Sequence, residues 1–152
     1  MDHIDRKLLS LLQENARYSL KQLSEIVYLS SPAVAARIER LERDNMIVGY
    51  HAEANLEKLG YHITAFINIQ IPPKNKPAFV EFIKKVSNVL ECDLVSGSYT
   101  MMVKAVFPST GDLDSFITQL QFYGPTETHI VFSEPVPHRG IRLLEEEPAP
   151  KD

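Results

Sequence analysis

The chain has 152 residues, 44% hydrophobic and 24% charged, enough for one ordinary domain or two small ones with a useful core. Its single cysteine, Cys92, excludes an intramolecular disulfide and a thiolate metal site, and suits a reducing cytoplasm. The formal net charge of −4 argues against indiscriminate nucleic-acid binding. No apolar run approaches the ~20 residues of a membrane span, and the opening Met1-Asp2-His3-Ile4-Asp5 has no basic stretch, so neither a membrane partner nor a signal peptide is expected.

In chain order, residues 2–14 are expected to form a helix. Asp2 or Asp5 lies in the opening turn, and Ile4, Leu8, Leu11 and Leu12 form an apolar stripe. Asn15-Ala16-Arg17-Tyr18 breaks it. Ser19 with Gln22 makes a capping box, and Leu20, Leu23 and Val27 share one face of a second helix. Tyr28-Leu29-Ser30 is the turn. Ser30 or Ser31 then caps a third helix with Pro32 in its first turn, and Val34, Ile38 and Leu41 form the buried stripe. Asp44-Asn45 ends that helix, and Met46 to His51 reads as a short strand, a winged helix-turn-helix arrangement.

The third helix carries small residues early (Ser30, Ser31, Ala33 and Ala36), followed by Arg37 and Arg40 away from the apolar stripe. A helix entering the major groove of DNA needs little bulk near the base edges and cations for guanine edges or phosphates. Residues 17–43 hold five cations against three acids, while much of the acidic excess lies elsewhere, as in Glu145-Glu146-Glu147. Short amphipathic helix pairs are also common, and pairing of the arginines with Glu39, Glu42 or Asp44 on a solvated face explains the same pattern. From pattern alone both readings stand.

Residues 51–60 read as a polar linker between a domain at 1–50 and another at 61–138, with an acidic, flexible tail at 139–152. After Gly60 the period changes from 3.6 towards 2. Ile63, Ala65, Ile67, Ile69 and Ile71 alternate with Thr64, Phe66, Asn68 and Gln70 in a strand that Pro72-Pro73 ends. A helix over 77–86, a strand over 89–95, a hairpin at Gly97-Ser98-Tyr99, a strand over 100–107, a helix over 112–122 and a strand over 126–133 follow. The order β-α-β-β-α-β is that of a ferredoxin-like domain, giving an α+β chain overall. Both helices fall on one face of such a sheet. The other, carrying Ile67, Ile69, Val103 and Val131 or their alternates, needs a cover that the proline-bearing tail does not supply, which points to a second copy of the chain.

The residues resemble the Lrp/AsnC, or feast/famine, family of transcription regulators over nearly the whole length. The N-terminal match runs through Ile4-Asp5, Leu8-Leu9, Asn15-Ala16-Arg17, Leu23-Ser24, Leu29-Ser30, Val34, Arg37-Ile38, Leu41-Glu42 and Ile47. The C-terminal match comprises Val95-Ser96-Gly97, Met102-Val103-Lys104 and Thr128-His129-Ile130-Val131. The resemblance implies an N-terminal domain that binds double-stranded DNA and a C-terminal domain for ligand sensing and oligomerisation. It implies homodimers that often form octamers, and a small amino-acid-like effector near Gly97, Ser98, Tyr99, Thr100 and Met101. Two positions depart from the family pattern. Tyr28 stands where relatives often have Gly, and positive φ is disfavoured for a bulky residue. Thr100 stands where amino-acid-sensing relatives commonly have Asp, so the hairpin lacks a carboxylate for an ammonium group unless the fold brings Asp93 or Glu127 close. That leans towards a weak or altered effector site and a DNA-bending or wrapping role.

No cofactor is expected. The histidines His3, His51, His62, His129 and His138 show no HxH or HExxH spacing, and there is no G-x-S-x-G, P-loop or dinucleotide fingerprint. The competing reading is a ferredoxin-like ligand-binding protein or enzyme with an accessory helical domain. Residues 30–43 separate the two, since an enzyme needs no exposed Ala33-Arg37-Arg40 face.

Overall fold

The computed structural model describes residues 1–143. It divides into two compact units: one of Met1–Glu53 with the described residues from Val136 on, and one of Ala54–Pro135.

The first unit is built on α1 (His3–Glu14), α2 (Leu20–Val27) and α3 (Ser31–Arg43). Asp2 is the N-cap of α1 in a reciprocal box with Asp5, and Ser19 caps α2 in the expected box with Gln22. Ser30, not Ser31, caps α3, accepting from the Ala33 N–H. Leu8, Leu11, Leu12, Leu23, Val34, Leu41 and Ile47 form one core, with Ile4, Val27 and Ile38 packed against it. Tyr28 ends α2 in the left-handed region at φ 55°, ψ 44°, so the tight turn forms there without glycine. Residues 46–51 form no strand, contrary to the sequence expectation. Ile47 is taken into the helical core, and Tyr50 Oη donates to Glu42 Oε1 at 2.7 Å. The Met46 and Ile47 N–H groups also donate to the Leu41 carbonyl, so the segment is anchored to the end of α3 and finds no strand ladder. Further on, Gln13 Nε2 donates to the Ile141 carbonyl. Of the tail expected over 139–152, the residues from 144 on lie outside the described residues.

The second unit is a four-stranded antiparallel sheet in the order β2-β3-β1-β4, with β1 Ile63–Ile69, β2 Val89–Leu94, β3 Met101–Phe107 and β4 Thr126–Ile130. Helices α4 (Lys76–Ile83) and α5 (Thr110–Gln121) supply Phe79, Ile83, Leu113, Phe116 and Leu120 to the core under it. This is the ferredoxin-like arrangement expected, with β4 three residues shorter. Gly124 lies between α5 and β4, where a Cβ would stand 2.0 Å from the Gln70 carbonyl oxygen, so only glycine fits.

The strand alternation resolves which face is covered. Ala65, Ile67, Ile69, Val103 and Ala105 point to the helices and are fully buried. The other face therefore carries the alternates: Thr64, Phe66 and Asn68 on β1, Met102 and Lys104 on β3, and Glu127 and His129 on β4. Lys104 Nζ lies over the Phe66 ring, 5.7 Å from its centroid. Asn68 Oδ1 is buried without a hydrogen-bond partner among the described residues.

Candidate nucleic-acid interface and effector loop

Helix α3 turns Val34 and Leu41 into the core and half-buries Ile38. Of the residues expected to face DNA, Ser30 is committed to its cap. Ser31 Oγ donates to Ser24 Oγ at 3.3 Å and fixes α3 to α2. Ala33 is half-buried and Ala36 exposed.

Arg37 and Arg40 make no bond to Glu39, Glu42 or Asp44 among the described residues. Both reach across to α1. Arg37 Nη1 lies 2.6 Å from Asp2 Oδ2 and 2.8 Å from Asp5 Oδ1. Arg40 Nη2 lies 2.7 Å from Asp5 Oδ2. The Asp5 side chain is 1% exposed, against 25% for Arg37 and 45% for Arg40. A buried carboxylate is tolerated here because each oxygen has its own guanidinium, and Oδ2 also accepts the Asp2 N–H. The box with Asp5 and the Arg37 guanidinium hold the Asp2 carboxyl down at about 2. These two acids are the residues that sequence reasoning missed. One signal was present: Asp5 sits at i, i+3, i+7 with Leu8 and Leu12, within the apolar stripe of α1. The guanidiniums are thereby fixed in direction on one flank of α3. The flank furthest from the core carries Pro32, Ala36, Glu39 and Arg43, all exposed.

The expected effector loop is closed by the Val95 N–H donating to the Thr100 carbonyl at 3.0 Å, with Gly97 at φ +113°, where a side chain would be strained. Its residues do not all face one site. Met101 is 6% exposed and belongs to the sheet core. Thr100 Oγ1 accepts the Ile71 N–H at 2.9 Å and donates to the Ile69 carbonyl at 3.3 Å, so its hydroxyl extends the backbone ladder past the end of β1. Gly97 and Ser98 are exposed. Tyr99 is half-buried, and desolvation, followed by the charge and hydrogen bond of Glu127, raises its phenol above the ordinary value. The fold thus brings an acid to the hairpin from β4, at a position remote in sequence. Cys92 on β2 is partly buried, and desolvation, then Asp93, pushes its thiol up, which disfavours a reactive thiolate. Among the described residues no group of three His, Cys, Asp or Glu side chains is placed to hold a metal ion, and no helix is long and apolar enough to cross a membrane.

Residues 1–42 match the AsnC-type helix-turn-helix domain, and residues 64–141 the Lrp/AsnC ligand binding domain. The HTH-type transcriptional regulator LrpA of Bacillus subtilis is 35% identical over 135 residues, covering 88% of this chain and 99% of that protein. The structure of B. subtilis LrpC superposes with a TM-score of 0.86 at 27% identity, covering 91% of this chain and 99% of that one. The transcriptional regulator NMB0573 of Neisseria meningitidis, solved as a complex with L-Met, gives a TM-score of 0.86 at 28% identity, covering 91% of this chain and 94% of that one.

Proposed function

Because this chain belongs to the Lrp/AsnC family of transcription regulators, a family of regulators and not of enzymes, we propose that it reads double-stranded DNA through α3 as part of a homodimer. In this reading residues 1–50 are the DNA-binding domain, 51–60 a linker, 61–138 the sensing and assembly domain and 139–152 a tail, and the setting is cytoplasmic. The observation that carries it is the outer flank of α3. Its N-terminal half exposes only Pro32 and Ala36, which lets a backbone approach base edges. Arg37 and Arg40 flank it as cations held in fixed directions by Asp2 and Asp5. Fluorescence-anisotropy titration of duplex DNA tests this. Ala36→Glu puts a carboxylate against the duplex and should weaken binding about tenfold or more without unfolding an exposed site. Undiminished binding would remove α3 from the interface.

The uncovered sheet face supports dimerisation. It presents Phe66 and Met102 among Lys104, Glu127 and His129, and the unpartnered Asn68 Oδ1 gains a donor if a second copy covers it. Assembly of dimers into octamers is the family expectation carried forward. Sedimentation of the wild type and of Phe66→Lys distinguishes this face from others: the variant should dissociate to monomers.

For the effector, the arrangement supports an amino-acid-like ligand held weakly. Backbone N–H groups around Gly97 and Ser98 suit a carboxylate, Thr100 is occupied by backbone, and Glu127 beside Tyr99 is an acid at the hairpin for an ammonium group. A weak site favours a regulator that bends or wraps DNA with little dependence on effector. Calorimetry with L-methionine and other amino acids tests it: a Kd below ~10 μM, about −7 kcal/mol, would overturn it.

A further inference from the structure

We infer that Glu39 determines sequence specificity by accepting a hydrogen bond from a cytosine amino group in the major groove. The inference rests on the reading of α3 as the groove-entering helix. Once Arg37 and Arg40 turn towards Asp2 and Asp5, the flank opposite the core runs Pro32, Ala36, Glu39 and Arg43, at i, i+4, i+7 and i+11. Glu39 is therefore the first long side chain on that flank, after a proline and an alanine. It has no cation within ion-pair distance among the described residues, unlike Arg43, which meets Asp44 at 3.3 Å. An unpaired carboxylate is the worst group to bring against a polyanion, because its charge repels the phosphates and its desolvation is uncompensated. In the major groove two base edges offer an amino donor, adenine N6 and cytosine N4; adenine sets the N7 lone pair beside its donor, which repels a carboxylate, so the N4 amino group of cytosine suits Glu39 better. The cost of placing Glu39 there thus becomes discrimination: a site with cytosine satisfies the carboxylate, and a site without it leaves the charge buried and unpaired.

Selection of bound duplexes from a randomised pool by the full-length protein, followed by titration of the selected sites, tests the assignment. The wild type should enrich cytosine at one position per half-site, and replacing that base should weaken binding roughly 5- to 150-fold. Glu39→Gln should move the preference at that position to adenine, whose N6 and N7 suit an amide. Glu39→Ala should lose the preference there, keep it elsewhere, and bind unrelated DNA more tightly because a repelling charge is gone. The same base preferences in all three proteins would overturn the assignment, as would a uniform change in affinity across all sequences. The control separates this from the underlying reading: if Ala36→Glu binds as well as the wild type, α3 is not at the DNA. If Ala36→Glu loses binding while Glu39→Gln leaves the selected sequence unchanged, α3 is the reader and Glu39 is not.

Discussion

Asp5 of α1 and Arg40 of α3 are 35 residues apart in sequence and 2.7 Å apart in space, the carboxylate sealed from water and the guanidinium half open to it. With Arg37 on the other oxygen, this contact fixes α3 against α1. Removing the acid strands Arg40 and leaves Arg37 with Asp2 alone, whereas removing Arg40 leaves Asp5 still bound to Arg37. Asp5→Asn should lower stability by about 2–3 kcal/mol, towards the low end for a broken buried pair because both guanidiniums reach solvent. Arg40→Ala should cost about 1 kcal/mol. Urea unfolding of the two variants checks the asymmetry; equal losses would show that Arg37 does not hold the acid alone.

Asp2 gives a pH signature. Its folded-state pKa is depressed, from 3.8 to about 2, so its contribution is fully present above the unfolded value and is lost as pH falls through the folded one. The stability gap between wild type and Asp2→Asn should stay constant above about pH 5 and narrow steadily below about pH 4. Screening at this half-exposed site keeps the gap small. Urea midpoints at several pH values would measure it, and a gap that widens on acidification would contradict the ion pair.

Tyr28 occupies the left-handed region with its side chain 92% exposed, so its ring returns no packing in exchange for the strain. Tyr28→Gly should stabilise the helical unit by about 1 kcal/mol. A rise in the thermal midpoint would confirm it; a fall would mean that the ring has an unrecognised contact.

Thr100 tests the proposed effector role of the hairpin. Thr100→Val removes an acceptor from the Ile71 N–H and should cost about 1–2 kcal/mol. Thr100→Asp can still accept that N–H but faces the Ile69 carbonyl without a proton to give. Its carboxylate is drawn to backbone, so the substitution alone should not produce tight amino-acid binding. Calorimetry that finds micromolar L-methionine binding in Thr100→Asp but not in the wild type would reverse this.

Gly124→Ala should be the most damaging small substitution in the sheet unit. Its Cβ would overlap the Gln70 carbonyl, which is backbone and has no rotamer to yield. A loss of about 2 kcal/mol or more is expected in chemical denaturation.

Much of this was legible in the chain because it is local. The Ser19–Gln22 box, Pro32 in the first turn of α3 and the Ile63–Ile71 alternation each state their geometry within a few residues. What needed the fold was non-local. The partners of Arg37 and Arg40 lie on α1, so nearest-neighbour reasoning offered Glu39, Glu42 and Asp44 instead. The face of the sheet that stays uncovered depends on where two helices dock, and alternation alone does not choose between Ile67 and Phe66. Met46 to His51 reads as a short strand, but a strand also needs a neighbour, and anchoring through Ile47 and Tyr50 decides the segment first. The hairpin sequence shows Thr100 but not Glu127, which β4 delivers.

The placement of β1 in the middle of the sheet has a kinetic consequence. Every residue of the helical core has been synthesised once Ile47 is made, whereas β1 waits for Phe107 to pair with Ile63 and for Ile130 to pair with Ala65. On the ribosome the helical unit can close early through short-range contacts, while an apolar isoleucine-rich strand stands with both edges vacant until β3 emerges and with one edge vacant until β4 does. The interval between those two events is when a nascent chain is most open to pairing with a neighbour's β1, and it lengthens with any insertion between Ile69 and Met101.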